Sequence, residues 1–307
     1  MPGHIPVIAA IRIWRSFGAT SLAISALPHP GESEGLMLFP SDLEMSRTSR
    51  LFADGEAYER LMGRWSRVAG EIFLEWLDIP ANCRWLDVGC GNGAFTEALI
   101  ERCAPVEIVG LDPSEGQLAF ARTRPGARSA KFRIGDAHEL PFGEERFDIA
   151  IMALVVTYLS EPGKAVSEMA RVVRPGGWVA TYTWDIPGAG TPVHPIYVAM
   201  ESLGMAAPRP PAAAASRCDA LRALWEDAGL ELIETRVIRI PVVYSDFDDF
   251  WDANSAPAGA SGKAIHDLSP AARERLRARV REQLPLGSDG RIAYESFANA
   301  VKGRVRM

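Results

Sequence analysis

The chain has 307 residues, 48% of them hydrophobic, 23% charged and 8% aromatic, values near those of water-soluble globular proteins, which argues against general disorder, a fibrous repeat and a multi-span membrane protein. Lysine and arginine number 33 against 39 acids, a formal net charge of −6, the wrong sign for a surface that tracks phosphate backbones, so nucleic acid is not the expected partner. Cys83, Cys90, Cys103 and Cys218 form no CxxC pair, so neither a zinc site nor a disulfide scaffold is indicated; no metal is expected, and reduced thiols in the cytoplasm are the simplest reading.

Residues 1–45 carry scattered prolines, no regular periodicity, and an apolar stretch from Phe17 to Leu27 behind Arg12 and Arg15. That layout is shared with secretory signals, but the charged region is long and the small-residue cleavage pattern is poor. The segment reads as a disordered tail, or as an extension upstream of a start at Met37 or Met45. No stretch reaches the ~18 apolar residues that span a bilayer.

From Ala57 to Leu77, apolar residues including Leu61, Trp65, Val68, Ile72 and Trp76 recur every three or four positions, predicting one or two amphipathic helices. A short buried strand, Arg84–Gly89, then runs into glycines and a helical pattern from Ala94 to Cys103. The alternation continues: strand Val106–Leu111, helix Pro113–Arg122, strands Lys131–Ile134 and Phe147–Leu154, helix Pro162–Val173, and strand Trp178–Trp184 after Pro175-Gly176-Gly177. Such a rhythm predicts a parallel sheet covered on both faces. After Asp185 come Pro-, Gly- and Ala-rich sequence and a short helix, read as a loop-rich lid. Helix Asp219–Ala228 stops at Gly229, a C-cap glycine. Strand patterns Leu230–Val243 and Arg291–Val305 close the chain, with a helical insert between them that holds a helix starting at Ser269 and Pro270, an N-cap and first-turn proline. The arginines at 273, 275, 277, 279 and 281 spread around this last helix, so a solvated face is the default.

The most informative stretch is Trp85-Leu-Asp87-Val-Gly89-Cys-Gly91-Asn-Gly93-Ala-Phe-Thr96. Glycines at a strand-to-helix turn let the backbone approach a ligand closely, and the helix start favours negative charge. Gly89-x-Gly91-x-x-Ala94 also fits a dinucleotide fingerprint. Asp87 argues against a pyrophosphate there, because it would repel one and welcome an ammonium group. Asp112, at the end of the second strand with Pro113 beside it, stands where a carboxylate accepts from ribose hydroxyls. Asp136 and Ala137, after the third strand, suit an adenine amino group and ring.

On these residues, together with Leu140-Pro-Phe142, Phe147-Asp148 and Arg171-Val-Val-Arg-Pro-Gly-Gly177, the chain resembles the class I S-adenosylmethionine-dependent methyltransferases, in the small-molecule group often called type 11, related to quinone-biosynthesis C-methyltransferases. The resemblance implies a doubly wound, Rossmann-like α/β fold: a seven-stranded sheet with an antiparallel last strand, spanning 46–307, with a helical cap from about 186–216 and 246–288. It implies S-adenosyl-L-methionine as cofactor. Asp87, Gly89 and Gly91 would hold the methionine part, Asp112 and Pro113 the ribose, and Asp136 and Ala137 the adenine. Ala153 or Leu154 would meet the cofactor through backbone, and Tyr58 and Arg64 are carried over as lid contacts. The expected reaction is methyl transfer to a small organic acceptor by in-line displacement. A base is needed only for an acceptor that must lose a proton, and His194 is the one candidate. Tyr158, Tyr182, Trp184 and Trp251 are candidate pocket walls. Two other readings stand beside this one, a nicotinamide (NAD(P)) oxidoreductase and a non-catalytic S-adenosylmethionine-binding regulator.

Overall fold

The protein is described by a computed structural model covering residues 63–257 and 259–307. The predicted tail 1–45 and the proposed lid residue Tyr58 lie outside the described residues.

Seven strands form one sheet in the order β3 (Lys131–Ile134), β2 (Glu107–Asp112), β1 (Arg84–Val88), β4 (Phe147–Ala153), β5 (Val173–Trp184), β7 (Ile292–Arg304) and β6 (Glu231–Tyr244). Five of them run parallel: β1, β2, β3, β4 and β5. The central strands are nearly continuous apolar runs because helices cover both faces. On one face Trp85, Ile108, Ile149 and Tyr182 pack with Phe73 and Leu77 of α1 (Arg64–Leu77) and Leu99 of α2 (Ala94–Cys103). The opposite face buries Leu86, Val109 and Met152 with Met169 of α4 (Pro162–Val172) and Trp225 of α6 (Cys218–Asp227). Between β2 and β3 lies α3 (Glu115–Ala121), capped by the Ser114 hydroxyl, which accepts from Gln117 N. The cap explains why the helix begins two residues later than the predicted Pro113.

The chain runs from β1 outward to β3, then crosses back to β4 on the other side of β1. A crevice opens at that reversal, outside the carboxyl ends of the strands, and this topology places ligands there.

The strand β5 starts five residues earlier than the sequence pattern predicts. Phe147 pairs with Val173 and Ile149 with Trp178, so the Pro175-Gly176-Gly177 stretch is a bulge within the strand rather than a turn before it. A Cβ on Gly177 would stand 2.5 Å from the Asp148 carbonyl oxygen, so the backbone passes there only because the residue is glycine.

Helix α6 ends in a Schellman motif: Leu230 N donates to Trp225 O at 3.2 Å and Gly229 N to Glu226 O at 2.9 Å, with Gly229 at φ +74°. The last two strands then form the expected antiparallel pair. Strand β7 (Ile292–Arg304) inserts between β5 and β6 (Glu231–Tyr244) and runs antiparallel to both.

The two predicted cap segments meet. The first contributes α5 (His194–Ser202); the second contributes α7 (Phe247–Ser255), α8 (Gly259–His266) and α9 (Pro270–Gln283). Leu276 and Val280 of α9 join Ile196 and Met200 of α5 in one buried cluster, and Arg279 Nε reaches Ser202 Oγ at 3.0 Å. Ser269 caps α9, its hydroxyl accepting from Ala272 N at 3.3 Å. The arginine run of α9 is engaged more than a solvated face would be: Arg277 pairs with Asp248 at 2.6 Å, and Arg281 lies over the Phe247 ring. Among the described residues no helix is long and apolar enough to cross a membrane.

Candidate functional site

The crevice holds a cavity of about 1120 Å³, and its walls come from the carboxyl-end halves of strands in the sheet, the turns that follow them and residues of α1 and α2. Each wall can be built from its sequence.

The turn after β1 is held against β2, with Gly89 N and Cys90 N both donating to Leu111 O, at 2.7 and 3.0 Å. Gly89 has φ +73°, and a Cβ on it would lie 2.5 Å from Val155 Cγ2. Gly93, at φ +77°, is the N-cap of α2, and a Cβ there would lie 2.9 Å from Ala121 Cβ. These positions require glycine for two reasons at once, a left-handed backbone and a neighbour in contact. Burial pushes the Cys90 thiol well above its ordinary pKa, so this cysteine of the turn stays protonated.

Asp87 is 1% exposed. Its Oδ2 accepts from Thr96 Oγ1 at 2.6 Å, while its Oδ1 is buried without a hydrogen-bond partner. Burial pushes the carboxyl up to about 7, opposed by the Thr96 bond. A buried carboxylate oxygen lacking a donor is costly unless a ligand supplies one, and Asp87 faces the cavity.

Asp112 also lines the cavity, as does Pro113. Its two oxygens already accept backbone bonds, Oδ2 from Gly91 N at 2.9 Å and Oδ1 from Ser114 N at 2.8 Å. Burial raises its pKa and these two bonds oppose the rise. The carboxylate therefore fixes the glycine turn and the start of α3, and each oxygen keeps a further lone pair for a ligand.

After β3, Asp136, Ala137 and His138 reach the same cavity. Asp136 Oδ1 accepts from both the backbone N and the ring Nδ1 of His138, at 2.8 and 2.7 Å. Glu161 N, at the start of α4, donates to His138 Nε2 at 3.3 Å. With Nε2 accepting from Glu161 N, the proton of the ring lies on Nδ1, toward Asp136.

At the end of β4, Ala153 and Leu154 line the cavity. Leu154 takes a left-handed backbone, φ +62°, and its N donates to Tyr182 O at 2.8 Å. This conformation is uncommon for a branched residue, and it swings the next residue, Val155, over Gly89. Tyr158 and Tyr182 complete the aromatic side. Tyr182 packs against Phe73 and Phe95, with ring centroids 4.8 and 5.7 Å away, and its hydroxyl donates to Ser66 O at 3.3 Å. From the insertion after β5, Pro211 reaches the rim, anchored by Ala212 N donating to Thr157 O at 2.9 Å.

Of the residues singled out in the sequence, the fold thus brings Asp87, Gly89, Gly91, Asp112, Pro113, Asp136, Ala137, Ala153 and Leu154 around one cavity. Others stand elsewhere. His194 is the first residue of α5, half-buried, and is not among the residues lining the cavity; burial pushes its imidazole below its ordinary pKa. Arg64 lays its guanidinium over the rings of Trp65 and Tyr244, at 4.1 and 4.9 Å, while its neighbours Gly63 and Ser66 line the cavity. Trp184 is buried outside the lining, and Trp251 stacks on Phe247. The sequence reading missed Val155, which closes over Gly89, and the bridging role of His138. The Asp-x-His spacing after β3 was the available signal for the second; no local pattern marks the first.

Residues 86–181 match the model of the methyltransferase domain family. Malonyl-[acyl-carrier protein] O-methyltransferase of Methylococcus capsulatus is 37% identical over 106 residues, covering 34% of this chain and 38% of that protein. Demethylmenaquinone methyltransferase of Thermus thermophilus is 34% identical over 129 residues, 41% of this chain and 57% of that one. The matched stretch therefore spans less than two thirds of each of these relatives. Among solved structures, the YcgJ protein of Bacillus subtilis superposes with a TM-score of 0.52 at 21% identity, covering 78% of this chain and 98% of that one. Phosphoethanolamine N-methyltransferase 2 of Haemonchus contortus, in complex with S-adenosyl-L-methionine, gives 0.53 at 18% identity, covering 89% and 61%. These structural likenesses share the Rossmann-like sheet.

Proposed function

We propose that this chain, which carries a class I S-adenosylmethionine-dependent methyltransferase domain, transfers the methyl group of S-adenosylmethionine to a small organic acceptor and releases S-adenosylhomocysteine. One observation carries the reading: Asp87, Asp112 and Asp136, at or just past the ends of three adjacent strands, all face one cavity. The order of these carboxylates across the strands suits a ligand with an amino group at one end, a diol in the middle and an adenine amino group at the other.

The residues fit that ligand. Asp87 Oδ1 is buried without a donor, which an ammonium would supply. Asp87 lines the cavity beside the Gly89 and Gly91 turn, where a dinucleotide would put its pyrophosphate, and an acid there disfavours the nicotinamide reading. Gly89 and Gly91 let backbone come close, Asp112 accepts from ribose hydroxyls, Asp136 and Ala137 take the adenine, and Ala153 and Leu154 supply backbone at the end of β4. When bound, S-adenosylmethionine supplies an electrophilic methyl on a sulfonium. What the protein adds is position: holding nucleophile and methyl in line lowers the barrier without a covalent intermediate. Tyr158, Tyr182 and Phe95 give the cavity aromatic walls, which favours an apolar or aromatic acceptor. The relatives named for demethylmenaquinone and for a malonyl group on a carrier protein are consistent with an organic acceptor. His194, away from the cavity lining, has no part in this proposal. The segments 186–216 and 246–288 act as a helical cap beside the sheet, and the 186–216 segment reaches the cavity through Pro211.

The test is thermal unfolding of the full chain alone and with S-adenosylmethionine, S-adenosylhomocysteine or NAD. A ligand at a hundred times its dissociation constant adds about 2.7 kcal/mol. Stabilisation by both adenosyl ligands and not by NAD is expected; stabilisation by NAD alone refutes the reading. Methyl-labelled cofactor is then offered with quinols, phenols and amines. Tight cofactor binding without a labelled product in any class would favour a binding protein.

A further inference from the structure

We infer that His138 is a positioning residue for the adenine subsite, holding the Asp136 carboxylate so that one oxygen is left to read the exocyclic amino group. The inference rests on the cofactor reading above and concerns how the same site tells adenine from other bases.

Both hydrogen bonds that reach the Asp136 carboxylate from the described residues end on Oδ1: the His138 backbone N at 2.8 Å and ring Nδ1 at 2.7 Å. None of the described residues donates to Oδ2. A carboxylate has two oxygens and is free to rotate about its last torsion, which is broad. Two donors on one oxygen remove that freedom and leave Oδ2 as the acceptor for the ligand. The ring is itself held, since Nε2 accepts from Glu161 N at 3.3 Å and the side chain is 15% exposed. His138 thereby ties the turn after β3 to the start of α4, two walls of the cavity that lie 23 residues apart in the chain. Glu161 and Lys164 also line the cavity, and among the described residues only Asp136 is bonded to the imidazole through its side chain.

The consequence is specificity. Adenine presents an amino donor where hypoxanthine presents a carbonyl oxygen. An oriented, acceptor-only oxygen accepts from the first and repels the second. A carboxylate free to turn loses part of this preference.

Substitutions separate the two ring nitrogens. Asparagine places its amide nitrogen near the position of Nδ1, so His138→Asn keeps the donor to Asp136 and loses the link to Glu161. Glutamine reaches the position of Nε2, so His138→Gln keeps the link and loses the donor. His138→Phe keeps ring volume and loses both. Calorimetry on the full chain would compare S-adenosylhomocysteine, S-inosylhomocysteine and the base-free S-ribosylhomocysteine. The expected result is that His138→Phe and His138→Gln reduce the adenosyl-over-inosyl preference roughly tenfold, about 1.4 kcal/mol, that His138→Asn retains it, and that S-ribosylhomocysteine binds the parent and all three variants equally. Added to Asp136→Ala, His138→Phe should cost nothing more in that preference. An unchanged preference in His138→Phe overturns the inference. So does a parallel loss of S-ribosylhomocysteine binding, which marks a merely structural role. If the parent binds neither S-adenosylhomocysteine nor S-ribosylhomocysteine, the cofactor reading falls first and the inference with it.

Discussion

Asp87→Asn is the substitution whose effect the structure fixes most closely. Burial disfavours the charged form of this carboxyl and pushes it up to about 7 in the fold, against 3.8 for the free side chain. Between those two values the folded state binds more protons than the unfolded chain, so folding stability falls as pH rises from about 4 through about 7. An acid with a raised pKa behaves in this direction, opposite to a salt-bridged one. Integrating the linkage from about pH 5 to about pH 8 gives a loss of about 2–3 kcal/mol in the parent that the asparagine variant does not share. The amide can still accept from Thr96, so the bond at 2.6 Å has a successor. Urea unfolding of the ligand-free proteins at both pH values should show the variant gaining on the parent by that amount at the higher pH. In thermal scans, a domain of this size would show a shift of about 5–10 °C. Affinity should move the other way: the variant loses the charge that holds an ammonium, and its S-adenosylhomocysteine dissociation constant should rise at least about tenfold, the equivalent of one charge-assisted hydrogen bond. In the parent, binding below about pH 7 should release a proton, visible by calorimetry in buffers of different ionisation enthalpy. A stability gap between parent and variant that stays constant across the pH range would refute the argument, because it would mean that Asp87 is ionised throughout and that its burial costs nothing.

Three further substitutions test other parts of the site and its frame. Gly89→Ala should destabilise by about 2–3 kcal/mol, combining left-handed strain with the 2.5 Å clash on Val155; adding Val155→Ala should restore part of that in urea unfolding but not the strain, and full independence of the two changes would contradict the close approach. Asp148 is pushed up by burial but pulled further down by bonds from Arg84 and Arg174, so its carboxyl sits below the usual range. Its contribution is present above the unfolded pKa and is lost as pH falls through the folded value. Asp148→Asn should therefore cost about 1–3 kcal/mol at neutral pH and progressively less in acid; an equal cost at both ends of an acid titration would sink that account. Asn299 donates to Asp185 Oδ2 at 3.0 Å and to Ser216 O at 2.8 Å, joining β7 to the residue before the 186–216 segment and to the segment's last residue. Asn299→Ala should speed limited proteolysis within that segment while leaving cleavage elsewhere unchanged.

Much of the sheet was legible in the sequence because its signals are local. Alternating buried strands and amphipathic helices announce a parallel layer, a glycine turn announces a strand-to-helix bend, and acids at strand ends need only their own neighbours to be seen. Ser269-Pro270 and Gly229 likewise mark helix ends through chemistry within one turn of chain. Even so, the early start of β5 was hidden, because Pro175-Gly176-Gly177 reads as a break unless its pairing with β4 is known.

The sequence by itself determined the kind of fold and the set of carboxylates that could serve a ligand, since both follow from periodicity and from residue types fixed by the nearby backbone. The tertiary structure alone decided which of them share a cavity and what else each one does. It put Val155 over Gly89, gave Asp112 two backbone donors, left Asp87 Oδ1 without one, and joined His138 to Glu161 across 23 residues. It also set Arg64 on Trp65 and Tyr244 and kept His194 out of the cavity lining. These outcomes depend on how separate segments pack and on how far each side chain is withdrawn from water, and neither quantity is carried by any local run of residues.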